Sequence, residues 1–275
     1  MTQPGIDMDR LNRWLGREEA ASDVVTPGLV ERFRATFGGW LRAGDDEVPP
    51  GLHWCLAPPA VPRGDLGPDG HPARGGFLPP VPLPSRMWAG GDLRLLRPLR
   101  IGDTVTRRSR IGAITPKEGR SGPLVFVAVH HVLSVGGAPV IEERHDIVYR
   151  PARTPAAQSA PDDIGAPVPE GGWVGDAVTL FRYSAMTFNG HRIHYDRPYA
   201  TEVEFYPGLV VHGPIQATLL LNAAAARAGP AFRFAYRGVS PLIAGQPVTL
   251  HAQEDRLRLE RLDGTVTFEA SHSPI

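Results

Sequence analysis

Gly213-Pro214-Ile215-Gln216-Ala217-Thr218-Leu219-Leu220-Leu221-Asn222-Ala223-Ala224-Ala225-Ala226-Arg227-Ala228-Gly229-Pro230 decides the fold. Proline near the start costs a helix nothing, because the first N–H groups have no partner inside it, and Gly-Pro ends it. The stretch between is apolar on most faces, which predicts a helix buried all round. β-rich runs follow at about 231–237, 247–255, 256–261 and 265–271, with Asp263-Gly264 as a hairpin turn. A central helix wrapped by antiparallel strands is the expected unit.

The same order occurs earlier in the chain. Thr26-Pro27-Gly28 starts a helix, with Thr26 as its cap, and Leu29, Val30, Phe33, Phe37, Trp40 and Leu41 recur at helical spacing. Strand runs follow at 93–96, 103–111, 124–133 and 140–149, separated by turn signals at 100–103, 117–122 and 136–137. Between helix and strands, residues 51–92 are rich in Pro, Gly and Asp yet too apolar for a linker. They read as an ordered, largely irregular wall along a pocket. Residues 151–172 hold five prolines and little apolar content beyond Ala, and read as the linker. The expected organisation is α+β: an N-terminal unit at 1–150, the Pro-rich linker at 151–172, and a C-terminal unit at 173–275.

Composition excludes several classes. The 275 residues carry a formal net charge of zero, so neither nucleic acid nor an anionic membrane surface is an expected partner. Cys55 is the single cysteine, so no internal disulfide and no cysteine zinc site can form, which suits the cytoplasm. Its neighbours Trp54 and Leu56 predict that it is buried. The first twenty residues lack the apolar core of a signal peptide, and no run approaches the ~20 apolar residues of a membrane helix.

The chemistry concentrates just before the central helix. Thr187-Phe188-Asn189-Gly190-His191-Arg192-Ile193-His194-Tyr195-Asp196 gathers two imidazoles, a carboxamide, a carboxylate and a guanidinium. Tyr206-Pro207-Gly208-Leu209-Val210-Val211-His212-Gly213-Pro214 then leads to the mouth of the apolar helix. A titrating base beside a helix N-terminus suits chemistry on a carbonyl compound: the base moves a proton, and the helix end stabilises charge on the carbonyl oxygen. His191 and His194 are three apart with Asp196 following, but a zinc site needs three or four ligands in defined geometry, so no metal is expected. His130-His131 lies in a β-run, so the two point to opposite faces and read as ordinary strand residues.

The chain resembles the MaoC-like double-hotdog hydratases and dehydratases, in particular the mesaconyl- and itaconyl-CoA hydratases and the hydroxyacyl-thioester dehydratases. In the first half the resemblance rests on residues 75–80, 86–91, 98–103 and 146–150. In the second it rests on His191-Arg192-Ile193-His194-Tyr195-Asp196, Tyr199-Ala200, residues 206–214 and Tyr236-Arg237. It implies two hotdog domains, each a long helix wrapped by an antiparallel sheet. The C-terminal one is catalytic; the degenerate N-terminal one holds the acyl chain. It also implies hydration or dehydration of an α,β-unsaturated acyl thioester with no cofactor beyond the CoA of the substrate. Branched C5 dicarboxylyl-CoA, mesaconyl or itaconyl going to citramalyl, is the leading expectation. A 3-hydroxyacyl-thioester dehydratase of fatty-acid or polyketide metabolism and a non-catalytic acyl-thioester-binding subunit are the alternatives.

In that family an Asp stands five residues before the catalytic His. Here His194 fits the His, but the partner position holds Asn189, which can orient water and cannot titrate near neutral pH. Either His194 moves protons alone, or Asp196 or His191 takes the missing role. Gly213 is the implied oxyanion donor, through its backbone N–H. His212 reads as structural. CoA phosphates and a free carboxylate need cations, for which Arg86, Arg182, Arg192, Arg197 and Arg237 are candidates, with His191 and Tyr195 as further substrate contacts. Hotdog proteins bury sheet edges by pairing, so a homodimer is expected.

Overall fold

The computed structural model describes residues 5–42, 44, 47–119, 122–153 and 161–275. The helices are α1 (Met8–Asn12), α2 (Pro27–Phe37), α3 (Ala177–Met186) and α4 (Gly213–Ala228). The first-half strands are β1 (Glu18–Val24), β2 (Ser85–Leu95), β3 (Thr104–Gly119), β4 (Gly122–Val135) and β5 (Ala138–Arg150). Those of the second half are β6 (Gly172–Val174), β7 (Phe232–Gly238), β8 (Pro247–Gln253), β9 (Arg256–Arg261) and β10 (Val266–Ser273). All ten form one antiparallel sheet in the order β1-β3-β4-β5-β2-β7-β10-β9-β8-β6. Five strands come from each half, and the two sets meet where β2 pairs with β7.

α4 is buried along its length, as its composition demands. Ile215, Leu219, Leu220 and Leu221 are each 0–1% exposed, and the helix packs against β7, β9 and β10. Each such side chain contributes about 1.5–3 kcal/mol through burial. α2 is capped by Thr26, whose hydroxyl accepts the Leu29 N–H. It buries Leu29, Val30, Phe33 and Phe37 and packs on α3. Both helices lie in one continuous core with the inner faces of β2, β7 and β10.

Three differences from the sequence expectation have physical causes. The α2 pattern does not run as α-helix to Leu41: Gly38 adopts φ +56° and the chain continues as a 3₁₀ turn over Gly38–Trp40. The wall at 51–92 ends earlier than expected, because β2 starts at Ser85 and includes Gly90 and Gly91. Those glycines are strand residues because the sheet is crowded there. A Cβ on Gly90 would lie 2.5 Å from the Tyr236 carbonyl, and one on Gly91 would lie 2.3 Å from the Arg144 carbonyl. Finally, α1, α3, β1 and β6 were not expected. Exposed Val178 and Phe181 blur the apolar stripe of α3, and β1 is a mostly exposed edge strand of Glu, Ala, Ser and Asp.

Part of the expected linker, residues 154–160, falls outside the described residues. Residues flanking it are tied down on the C-terminal side: the Gly165 N–H donates to the Gly245 carbonyl, and Gln246 donates to Asp163. Cys55 is buried as expected, and burial pushes its thiol up to about 12. No helix among the described residues is long and apolar enough to cross a membrane.

Candidate active site

The Asn189–His194 turn is held from several sides. Just beyond α3, Phe188 takes φ +48°, a left-handed conformation unusual for a bulky residue, and the Asn189 N–H then reaches back to the Ser184 carbonyl at 2.9 Å. Backbone strain of this kind persists where surrounding contacts enforce it. The enforcing contact here comes from the first half. The Arg192 N–H donates to the Asp69 carbonyl at 2.9 Å, its side chain donates to the Pro68 carbonyl at 3.1 Å, and Gly70 lies against Gly190. A Cβ on Gly70 would fall 1.8 Å from the Gly190 carbonyl oxygen, so only glycine permits this approach. Beyond the turn, Ile193, Tyr199, Ala200, Tyr206, Val210 and Ile243 form a small separate core.

His194 is buried and its Nδ1 lies 2.7 Å from the Val210 carbonyl. That partner accepts only, so Nδ1 carries the proton and Nε2 keeps its lone pair. Burial pulls the imidazole down to about 4, against the opposing effect of the Val210 bond. The ring stacks on His212, whose Nε2 lies 2.9 Å from Ser184 Oγ. Burial also holds His212 well below the usual histidine range. Asn189 Oδ1 accepts the His191 N–H at 3.0 Å.

The remaining expected site residues are distributed less favourably. Asp196 does not face an imidazole. It accepts two bonds from Arg192, at 2.9 and 2.8 Å, and one from the Tyr199 N–H, and those bonds hold its carboxyl below its ordinary value. A proton donor needs the opposite shift. Tyr195 is exposed and donates to the Gly190 carbonyl. Arg182 is exposed and donates to the Ala35 carbonyl, Arg197 is exposed, and Arg237 pairs with Glu269. Arg192 is occupied by Asp196 and lies over the Tyr199 ring. Arg86 lies within electrostatic reach of Asp69, His71 and His191.

His191 meets two residues absent from the sequence reading. Its ring centroid is 4.1 Å from that of His71, and His71 Nδ1 lies 3.0 Å from Asp69 Oδ2. Asp69, His71 and His191 bring ligand-type atoms within 4.8 Å of one another, the one such group among the described residues. Asp69 also accepts the His71 N–H. The Asp69–His71 pair is therefore already satisfied by itself.

At the start of α4 no hydrogen bond among the described residues engages the Gly213 N–H; Ile215 and Gln216 turn back to the His212 carbonyl. Gly213 approaches Trp88 so closely that a Cβ would meet the ring at 3.1 Å. Next to this helix end lies a pocket bordered by Asn189, Thr187 and Pro214 on one side and by residues of the first half on the other. His194 does not border it. The first-half wall is unexpectedly polar: His53, Arg107, His131, Glu143 and His145 line it with Trp54 and Trp88.

Glu143 organises that wall. Its oxygens accept from Tyr236 Oη at 2.7 Å and Trp54 Nε1 at 3.0 Å, and they lie 2.9 Å from His145 Nε2 and 3.4 Å from His53 Nε2. Burial alone would raise this carboxyl. The imidazoles outweigh it and hold the group well below the usual carboxylate range. His131 Nδ1 lies 2.9 Å from Ser109 Oγ, and its ring meets His145 edge-on. The sequence reading of His131 as an ordinary strand residue missed this. The available signal was phase: Arg107, His131, Glu143 and His145 alternate in step with buried Val105, Ile111, Leu133 and Ile141.

Comparison with known proteins shows the family and the fold. Residues 51–244 match the family model of hydroxyacyl-thioester dehydratase type 2. Over 274 residues the chain is 42% identical to the mesaconyl-C(4)-CoA hydratase of Chloroflexus aurantiacus, covering 94% of this chain and 95% of that protein. The crystal structure of HtdX from Mycobacterium tuberculosis superposes with a TM-score of 0.69 at 22% identity, covering 94% of this chain and all of that one. Another M. tuberculosis protein, described as a double hotdog, superposes with a TM-score of 0.53 at 13% identity over 94% of this chain and 95% of its own. The two helix-and-five-strand halves are thus a double hotdog.

Proposed function

Because the chain belongs to the hydroxyacyl-thioester dehydratase type 2 family, a family of hydro-lyases, we propose that it adds water across the double bond of mesaconyl-C4-CoA or a closely related dicarboxylyl-CoA. The observation that carries this reading is the pocket bordered by Asn189, by Pro214 at the start of α4 and by the polar residues of the first-half wall. A short acyl group ending in a carboxylate can pair with the guanidinium and imidazoles of that wall, whereas a long alkyl chain would leave them unpaired. That observation favours the dicarboxylyl substrate over the fatty-acyl alternative.

The steps follow from the residues. Asn189 fixes a water through its amide. His194 takes a proton from that water at Nε2 as the oxygen bonds to the β-carbon. The electron pair of the double bond moves onto the thioester oxygen, where the Gly213 N–H and the α4 dipole stabilise it. The same proton then returns from His194 to the α-carbon, since Asn189 cannot supply one. This reading requires His194 Nε2 to reach the water that Asn189 holds. The reaction is cofactor-free and cytoplasmic in this reading, with a homodimer as the working form.

Incubation of the pure protein with mesaconyl-C4-CoA, itaconyl-CoA and crotonyl-CoA, followed by mass spectrometry, tests the proposal. Gain of one water on a dicarboxylyl substrate is the expected result. Water gained only on crotonyl-CoA or longer monocarboxylyl chains would move the assignment to fatty-acyl chemistry. No water gained on any, with the protein folded, would leave a thioester-binding subunit.

A further inference from the structure

We infer that Arg107, supported by His131 and His145, forms the subsite that receives the free carboxylate of the acyl group. This deepens the proposed hydration and rests on it. None of the arginines singled out from the sequence borders the pocket; Arg107 does. Its guanidinium is anchored at one end only. One Nη donates to the Leu56 carbonyl at 3.3 Å and the other to the Ala57 carbonyl at 2.8 Å, while its buried Nε–H has no hydrogen-bond partner among the described residues. Five N–H groups with two bonds leave a donor set still open, in the fork geometry that suits a carboxylate.

The anchor itself is costly to build. Ala57 takes φ +47°, and Asp23 Oδ2 accepts its N–H at 2.9 Å. A left-handed alanine clamped from β1 persists where its neighbours enforce it, and here it presents a carbonyl to Arg107. On the same face of the sheet stand His131 and His145, the latter on β5, two residues beyond Glu143. Glu19 and Glu143 lie within electrostatic reach of Arg107, but among the described residues its guanidinium hydrogen-bonds only the Leu56 and Ala57 carbonyls. The wall thus sets one guanidinium and three imidazoles, those of His53, His131 and His145, around the single Glu143 carboxylate.

The position also fits the reaction. A thioester carbonyl at the Gly213 N–H and a β-carbon at Asn189 direct the far end of a short acyl chain toward the first-half wall, which Arg107 borders. The second carboxylate of a dicarboxylyl group is then paired, and a methyl in its place leaves the guanidinium desolvated and unpaired.

Two measurements test the subsite. The ratio of kcat/KM for mesaconyl-C4-CoA over crotonyl-CoA is compared between the wild type, Arg107→Gln and Arg107→Lys. The ratio should fall by about 10²-fold or more in Arg107→Gln and less in Arg107→Lys, which keeps the charge and loses the fork. Calorimetric binding of the unreactive analogues succinyl-CoA and butyryl-CoA should show the same loss of preference without turnover. An unchanged ratio in folded Arg107→Gln, or equal wild-type affinity for the two analogues, overturns the subsite while leaving hydration standing. A wild type that binds succinyl-CoA preferentially but hydrates nothing removes the proposed reaction and leaves the subsite.

Discussion

His194 and His212 lie face to face, with ring centroids 3.5 Å apart and planes 15° from parallel. Two buried imidazoles in that arrangement cannot both carry charge. Protonating either one places a cation against its neighbour in a site with little water to screen it. Burial keeps His194 in the neutral form that a base requires, and a charge on it would also weigh on His212.

Acid stability follows from the same burial. His71, His131, His191, His194 and His212 all sit below their ordinary values, burial being the main cause in each. In the unfolded chain they take up protons near 6.5, while the folded chain resists, His194 down to about 4. Below about 6.5 the unfolded state binds more protons, so stability falls as pH falls, by about 1.4 kcal/mol per pH unit for each histidine fully engaged. Denaturant midpoints measured from pH 7.5 to 4.5 should fall steeply below about 6.5. A flat profile would mean that these rings are hydrated in solution.

His194→Gln should lower kcat by about 10³-fold or more while leaving the circular dichroism spectrum intact. In the wild-type enzyme, kcat/KM needs His194 neutral, so the acid limb belongs near 4, the ring's value in the folded protein, rather than near 6.5. A rate profile that already halves at 6.5 would assign the limb to some other group.

Asn189→Asp conserves the bond to the His191 N–H, since either side chain offers an oxygen there. It removes the amide donor and adds a charge beside a helix start. Turnover should fall by about tenfold or more with the thermal midpoint nearly unchanged. If turnover instead rises, Asn189 is a decayed acid and the water-orienting role is wrong.

Gly213→Ala places a methyl 3.1 Å from the Trp88 ring. The ring can yield, at a cost of about 1–3 kcal/mol, but the wall beside the oxyanion position yields with it. The loss in kcat should exceed the loss in stability, near 10²-fold for a displaced oxyanion donor. Near-normal kcat with a lowered melting temperature would make this glycine a packing residue alone.

The sequence disclosed the fold where local chemistry and tertiary environment agree. A helix apolar on every face had to be the buried α4, and β9 keeps the expected bounds because alternation and turn residues coincide there. It disclosed only the last residues of β2, from Leu93, since Gly90 and Gly91 weaken a strand locally and are required only by Tyr236 and Arg144 across the sheet. The site divides in the same way. Asn189, His194 and Gly213 stand close together in the chain and carry a family pattern. Asp69, His71, Arg107 and Glu143 reach the site from distant strands and loops, and only the register of β3, β4 and β5 brings the last two to one wall.

The pairing of β2 with β7 makes one sheet of two equivalent halves. Two such halves on separate chains would be copies of each other, so any substitution would appear on both sides of the seam at once. They would also separate on dilution. Within one polypeptide neither restriction applies: the halves remain at a fixed, high effective concentration, and each changes independently. That freedom accounts for the division of labour around the pocket. The second half carries the turn and helix end that the proposed mechanism sets against the thioester. The first half, relieved of that task, has filled the corresponding face with Arg107, His131, Glu143 and His145. Substrate choice can thus be altered on one side without touching the chemistry on the other.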